Sequence, residues 1–592
     1  MTTAPTTVGR EGPASVQARR AALEERHPTW VPRTTAQMLD LTAARFPDRP
    51  LVLTDDRDHT YADITAWSSR LAAGLIAIGV RPGDHVAVDM ANLPEVVALK
   101  FAVARVGAVS VSINFLLRHE ELAYVLRQSN ARVLITMDAF RTLDYLDALD
   151  RIAPGWERDA GGQALPRLRD VFVLGTDSAD RVPARGRALA ELIKLGAGVG
   201  DTEVAERTAA ADPRATSDLL YTSGTTGQAK GAMLRHDAVL RTAYASAYTR
   251  AFADGRRMLY ALPIYHVFGY VEGLLAALFV GGAICPHPTF FAEKILRDIE
   301  RHRIDELICV PAMTTEVLST ARAGNFDLSS LRVMFSSGAA HAPGMFPEMR
   351  DVLGVDELFT AYGQTETTAS TTCTAPGDPI ERLAGTNGCL KPAGVAGDPE
   401  LGGVLAIYKA VHTGTGETLP AGEVGELVVR GPIVTHGYYD KPAETAALFT
   451  DDGWMRTGDL GRIDEDGYLV LTGRTKESYR CGGELVLPGE IEKVLTEHPA
   501  VLAAHIVGIP HPRMGEVGCA WVVPSSERPT SEELIAYCAS RLARFKVPTA
   551  VLFTAAHDLP MTVTGRVQKF LLVQRAVAML DQDTPTRPVA TS

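Results

Sequence analysis

Cysteine is scarce in this chain: seven among 592 residues, at 285, 309, 373, 389, 481, 519 and 538, with no C-x-x-C pair. The odd number and the wide spacing indicate neither a disulfide framework nor a zinc site, and a reducing cytoplasm is the expected compartment. Long apolar runs are missing too. The longest, Leu274–Cys285, is too short to span a bilayer and reads as a core helix running into a Gly-Gly turn. The first thirty residues contain no apolar stretch of the kind a secretory signal needs. No long basic run interrupts a net charge of −12, which argues against nucleic acid as the main partner. What is present is the composition of a soluble globular protein, 46% hydrophobic and 22% charged. Single cores stop growing at roughly 250–300 residues, so a chain of this length needs at least two structural units.

From Thr34 to Gly175, helix-periodic stretches alternate with short β-rich runs. TAQMLDLTAARF, ITAWSSRLAAGLIAIGV and PEVVALKFAVARVG read as helices; HVAVDM, VSVSIN, RVLITM and VFVLG read as strands. This alternation predicts an α/β fold with parallel sheets. Residues 177–213 read as a surface excursion with one short helix, ALAELIKLG. The strand pattern resumes in DLLYTSGTTG, RMLYALPIYH, ELICVPA and LRVMFSSG, each ending in a polar or Gly-rich turn. Those turns lie beyond the carboxyl ends of strands, where open α/β sheets bind ligands. After Pro392 the chain becomes β-rich, with strands GELVVRG and GYLVLTGR and a hairpin turn at Asp466-Gly467. The expected organisation is a flexible tail over 1–33, a large domain over 34–473 made of α/β subdomains with a β-rich part, and a hinge over 474–477. A small mobile α/β domain over 478–580 and a second tail over 581–592 complete it.

The strongest motif is Tyr221-Thr222-Ser223-Gly224-Thr225-Thr226-Gly227-Gln228-Ala229-Lys230-Gly231. Its glycines let backbone N–H groups crowd around an anion, its hydroxyls add donors, and Lys230 adds charge. It does not fit G-x-x-x-x-G-K-[ST] and so is not a Walker A loop. Four further segments follow in order: Ser337-Gly338-Ala339-Ala340, Ala361-Tyr362-Gly363-Gln364-Thr365-Glu366-Thr367, Trp454-Met455-Arg456-Thr457-Gly458-Asp459 and Gly473-Arg474-Thr475-Lys476-Glu477. Taken singly, each reads as an ordinary polar turn.

Together and in this order they resemble the adenylate-forming superfamily of acyl-CoA synthetases, luciferase and peptide-synthetase adenylation domains. The resemblance covers Thr34 to Val573 and implies ATP, Mg²⁺ and CoA as reactants and cofactor, with a small-molecule acid as substrate. It implies that Thr222, Ser223, Gly224, Thr225, Thr226, Gly227 and Lys230 cradle phosphate, and that Gly338, Ala339, Ala340, Ala361, Tyr362 and Gly363 surround adenine. Thr365 would bond the α-phosphate, Glu366 with Thr222 would hold Mg²⁺, and Asp459 with Arg474 would hold the ribose. Lys476 would be the pivot of the small domain, His266 in Tyr265-His266-Val267-Phe268-Gly269 would stand near the acyl group, and Arg480, Gly482 and Gly483 would face CoA.

The pattern breaks at Thr564-Gly565-Arg566, where the family has a lysine in the last position; Lys569 follows three residues later. Three readings stay open: Arg566 supplies the cation, Lys569 supplies it, or adenylation is slow or unusual in its acid. The acceptor is expected to be CoA. An amine acceptor, including nitrite-activating chemistry, and a non-catalytic nucleotide binder are the alternatives. The oligomeric state, with a dimer one option, is not read from the sequence.

Overall fold

In a computed structural model of the chain, residues 15–176, 181–222, 229–342, 344–482, 484–525, 528–562 and 567–582 are described. Two sheets organise the large domain. One has six strands in the order Lys230–Arg235, Thr216–Thr222, Val109–Ser112, His85–Asp89, Val133–Met137, Asp170–Leu174, all parallel except the first pair. The other has seven, in the order Glu357–Phe359, Val333–Ser336, Glu306–Cys309, Arg257–Tyr260, Ala283–Pro286, Pro50–Val52, His59–Thr60, all parallel except the last pair.

Side chains alternate across a strand, so each strand feeds two cores. Val86 and Val88 point into a core shared with Met258, Ile284 and Phe335 of the second sheet. Helices Tyr61–Ala77, Pro94–Arg105 and His236–Thr249 fill that shared layer. Ala87 and Val111 face an outer core on one side, and Leu259, Leu307 and Met334 face another on the far side. Strands buried on both faces explain the near-continuous apolar runs that mark parallel sheets.

The β-rich part is a four-stranded antiparallel sheet, Ile407–Val411, Gly425–Arg430, Met455–Ile463 and Leu469–Arg474. Asp466-Gly467 turns the last pair, with Gly467 at φ +84°. Past the turn at 475–477, a five-stranded sheet built on Val501–His511 and Gly515–Pro524 packs with helices Pro488–Thr496, Ser531–Ala539 and Lys569–Gln582 around its own core. Two separate hydrophobic cores flank the 474–477 stretch, as the length of the chain requires.

Four expectations change. Residues 15–33 are not a tail: Val16–Arg26 is a helix capped by Ser15, and its Arg19 and Leu23 are buried against the large domain, Arg19 pairing with Glu357. The excursion at 177–213 holds a second helix, Asp201–Ala210, in which Val204 and Thr208 are buried. Its sparse apolar residues hide it from periodicity. The apolar run at Leu274 belongs to a helix that begins earlier, as π-helical Phe268–Leu275, and the run ends as strand Ala283–Pro286 after the Gly281-Gly282 turn. The closing helix also runs past 580.

Candidate active site

The phosphate-loop residues Ser223, Gly224, Thr225, Thr226 and Gly227 lie outside the described residues, and so do Gly483 and Arg566. The two ends of the loop are placed. Thr222 closes one strand and Lys230 opens the next, and the two are direct cross-strand partners. The strand carrying Lys230 is extended by the 437–439 segment, through Tyr439 N–H to Gly231 O at 2.9 Å and Met233 N–H to Gly437 O at 3.1 Å.

Tyr438 from that segment joins two expected groups. Its hydroxyl donates to Glu366 Oε1 at 2.7 Å, and Lys230 Nζ lies 5.0 Å from the centre of its ring. Glu366 is 7% exposed and its backbone oxygen accepts Thr435 N–H at 2.7 Å. Burial, then the neighbouring carboxylate, pushes the Tyr438 hydroxyl well above the usual phenol range, so it is a hydrogen-bond donor at neutral pH. Glu366 Oε2 meets no hydrogen-bond donor among the described residues. A buried carboxylate on the same tyrosine that a lysine faces is a fitting donor for a hard cation shared with phosphate oxygens.

Glu366 sits on a tight hairpin formed by Ala361–Gln364, the turn Thr365–Thr367 and Ala369–Cys373. Thr365 is buried, and Thr368 takes a left-handed conformation at φ +58°. Gly363 is obligatory here: a Cβ at that position would lie 1.9 Å from the Ala369 carbonyl oxygen. The hairpin is clamped to the segment carrying Gly338, Ala339 and Ala340. Ser337 Oγ donates to Ala361 O at 2.6 Å and accepts Ala361 N–H at 3.3 Å. Gly338, at φ +98°, turns the chain just beyond that clamp. Behind the hairpin, Lys391 Nζ donates to Ser370 O at 3.2 Å and pairs with Glu272 at 3.3 Å. Glu272 also pairs with Arg250, which pairs with Glu306. All four charged groups are buried, and removing one partner of such a network is costly because it strands another.

The ribose residues converge as well. Asp459 is 3% exposed; its Oδ2 accepts the Tyr362 hydroxyl at 2.6 Å and its Oδ1 pairs with Arg474 Nε at 2.7 Å. Asp459 and Arg474 face each other across two adjacent strands, so pairing register sets their meeting. Burial, then Asp459, drives the Tyr362 phenol well above its ordinary range and keeps it a donor.

His266 is half-buried. Its Nδ1 accepts Phe268 N–H at 3.2 Å, which leaves the proton on Nε2, and burial lowers its pKa to about 4, so it is neutral at pH 7. Its sequence neighbours are aromatic and packed: Tyr265 packs on Phe115, which packs on Phe140, and Phe268 packs on Phe335.

The small-domain residues stand apart from this group. Lys569 opens the last helix, and its Nζ lies 2.6 Å from Glu492 and 3.4 Å from Glu477. Lys476 is exposed in the turn that follows Arg474, and that turn is fixed by Thr475 N–H to Gly458 O at 2.9 Å. Arg480 and Gly482 form one side of a hairpin between Tyr479–Cys481 and Glu484–Val486, with Gly482 at φ +61°. Sequence reasoning missed Tyr438 and Lys391, and it named Ser337 within its segment without a role. The available signal for Tyr438 is the Gly437-Tyr438-Tyr439 aromatic pair; Lys391 carries none beyond its residue type.

Comparisons with known proteins give the family of the chain. The AMP-binding enzyme family matches residues 39–439, and the AMP-binding enzyme C-terminal domain matches residues 490–566. A Bacillus subtilis protein named as the acyl-CoA synthetase YngI is 34% identical over 555 residues, covering 93% of this chain and 98% of its own. A Mycobacterium tuberculosis ligase, whose name gives a bicyclic methyl-dioxo-octahydroindenyl propanoyl group and CoA, is 35% identical, over 91% of this chain and 98% of its own. Among solved structures, ATP-bound MatB from Rhodopseudomonas palustris superposes with a TM-score of 0.78 at 28% identity, over 92% of this chain and 99% of its own.

Proposed function

The chain belongs to the AMP-binding enzyme family, as an AMP-forming ligase of the adenylate-forming superfamily, and we propose that it joins an apolar carboxylic acid to CoA in two steps. In the first, an oxygen of the acid carboxylate bonds to the α-phosphorus of ATP and the bond to pyrophosphate breaks, leaving an acyl-AMP. In the second, the thiol sulfur of CoA bonds to the acyl carbon, AMP leaves, and the thiol proton passes to solvent.

The observation that carries the reading is the convergence of Lys230, Tyr438 and Glu366 at one end of the site and of Tyr362, Asp459 and Arg474 at the other. Asp459 accepts ribose hydroxyls, and Arg474, held by the same carboxylate, adds donors toward the ribose or phosphate. Thr222, Lys230 and Thr365 supply hydroxyl and ammonium donors to phosphate oxygens, where charge builds as pyrophosphate leaves. Glu366, with Thr222, would hold Mg²⁺, which supplies charge neutralisation on the phosphates. Arg566 brings the small domain's cation to the α-phosphate. The small domain then turns about Lys476, which brings the face with Arg480, Gly482 and Gly483 to the adenylate.

Two sets of packed rings, Phe140–Phe115–Tyr265 and Phe268–Phe335, in the segments next to a neutral His266 support an acid with an apolar body. The names of the relatives, which include medium-chain acyl-CoA ligase ACSF2 of Danio rerio at 32% identity, support the same class. A panel of apolar, polar and dicarboxylic acids, assayed for pyrophosphate release and for thioester with and without CoA, tests it. Apolar acids are expected to turn over with CoA-dependent thioester formation. Turnover confined to dicarboxylic or polar acids would overturn the substrate class, and adenylate that CoA never consumes would overturn the acceptor.

A further inference from the structure

The hairpin that carries Thr365 and Glu366 is bent in a way its sequence does not favour. Thr368 and Ala369 follow one another at φ +58° and +92°, a region that only glycine enters freely. Neither residue is glycine, so the conformation persists only where its surroundings enforce it. The strand that follows is bulged as well. Tyr362 faces Thr372 and Gly363 faces Ser370, which leaves Thr371 without an opposite residue.

The enforcement falls on Ser370, the first residue past the bend. Glu272 Oε1 accepts its N–H at 3.2 Å and also its hydroxyl. Lys391 Nζ donates to its carbonyl at 3.2 Å and to its Oγ at 2.9 Å. Every polar group of Ser370 is thus held by one of two buried charges, which pair with each other. Both charges are anchored in turn. Lys391 Nζ donates to Ser246 Oγ at 2.5 Å on helix His236–Thr249, and Arg250 Nη2 donates to the Glu272 carbonyl at 2.8 Å. An ion pair buried this deeply adds little net stability over an apolar pair of the same shape. What it adds here is direction, because it fixes the N–H and the C=O of one residue, which apolar side chains cannot do.

We propose that Glu272 and Lys391 are positioning residues for adenylation. By clamping Ser370 they keep Thr368 and Ala369 in the left-handed region, and so hold Thr365 and Glu366 in place. The proposal rests on the reading that Glu366 holds Mg²⁺ and Thr365 bonds the α-phosphate. A return of Ala369 to negative φ would turn the chain between Ser370 and Glu366, and would carry that carboxylate away from the Tyr438 hydroxyl. A clamp differs from a plain core contact in one respect. If the pair only stabilises the fold, nothing at position 369 repairs its loss. If it enforces the bend, a residue that takes positive φ without strain replaces it.

The test titrates Mg²⁺ against ATP binding by calorimetry in the full chain, beside pyrophosphate release with the acid panel. Lys391→Met keeps a long unbranched side chain and removes the charge. The Mg²⁺ concentration for half-maximal ATP binding and turnover is expected to rise about 10–100-fold, the range for loss of a residue that orients a metal ligand. Thioester formation from pre-formed acyl-AMP should change little. Adding Ala369→Gly to Lys391→Met is expected to recover most of the loss although no charge is restored, and Ala369→Gly alone should stay near wild type. Ser370→Ala removes only the shared hydroxyl and should shift the Mg²⁺ dependence the same way by a smaller factor. It takes the place of Lys391→Met if circular dichroism shows that variant unfolded. A folded variant with wild-type Mg²⁺ dependence overturns the clamp, and so does a loss that Ala369→Gly leaves untouched. Failure of the functional reading shows instead in the wild type, as no pyrophosphate from any acid of the panel, and the calorimetric comparison of the variants then still decides the clamp.

Discussion

Asp459 and Lys569 are both charged groups of the expected active site, and their surroundings differ in kind. Asp459 is buried on a strand with each oxygen already engaged, one by Tyr362 and one by Arg474. Lys569 lies at the start of a helix in the other hydrophobic unit and is engaged by Glu492 of that unit and Glu477 of the turn after Arg474. The corner proposed for the nucleotide is therefore already assembled by contacts within the chain, and such preorganised groups need no reordering at the moment of reaction. In the proposed mechanism a small-domain cation is delivered by movement, whereas Lys569 is held by these two carboxylates. This contrast supports the proposal that Arg566, rather than Lys569, delivers the charge.

The comparison can be broken most sharply at Glu366. Glu366→Gln keeps the Tyr438 hydrogen bond and removes the charge, and pyrophosphate release is expected to fall by about 10²–10³ with the circular dichroism unchanged. Near wild-type turnover would show that the buried carboxylate holds no cation. Arg566→Ala is expected to cost a similar factor, about 10²–10³, in adenylation only. Thioester formation from pre-formed acyl-AMP should survive, and loss of that half-reaction as well would contradict a loop that has swung away.

Lys476→Pro fixes φ in the exposed turn and should hold the two units in one arrangement. Single-turnover pyrophosphate release near normal, with thioester product strongly reduced, is expected; equal loss of both steps would remove the hinge from the mechanism. Asp459→Asn leaves Arg474 without its ion pair, and a hydrogen bond to a charged group is worth about 1.5–3 kcal/mol, so the KM for ATP should rise roughly ten- to hundredfold. An unchanged KM would mean that the ribose binds elsewhere. The smallest effect is expected at Lys569→Ala. A partly exposed ion pair contributes about 1 kcal/mol or less, so the melting temperature should drop slightly while adenylation stays near wild type. Loss of adenylation there, with Arg566→Ala healthy, would move the cation along the chain.

Much of the fold was legible because strands buried on both faces and helices with one buried face write their periods into the sequence. Five strands of the six-stranded sheet and three of the seven-stranded one sit where the apolar runs place them, and the hairpin at Asp466-Gly467 follows its turn chemistry. Helices Val16–Arg26 and Asp201–Ala210 were not legible. Each buries only two side chains, too few to set a period against a polar background. Within the site, Glu366, Asp459 and Arg474 stood out because their segments resemble a family. Tyr438 did not, because its role comes from a segment laid beside the phosphate-loop strand by tertiary folding.

The sequence by itself determined the α/β class, the two-unit organisation and the residue types able to bind a nucleotide, because these follow from local periodicity, chain length and ordered short motifs. Tertiary structure alone decided which of those residues share an oxygen. Asp459 meets Arg474 through strand register, Glu366 meets Tyr438 across more than seventy residues of chain, and His287 meets Asp298 because a helix folds back over its strand. Charge and hydrogen bonding act over a few ångströms, and distances of that order between residues far apart in sequence are set only when the chain packs.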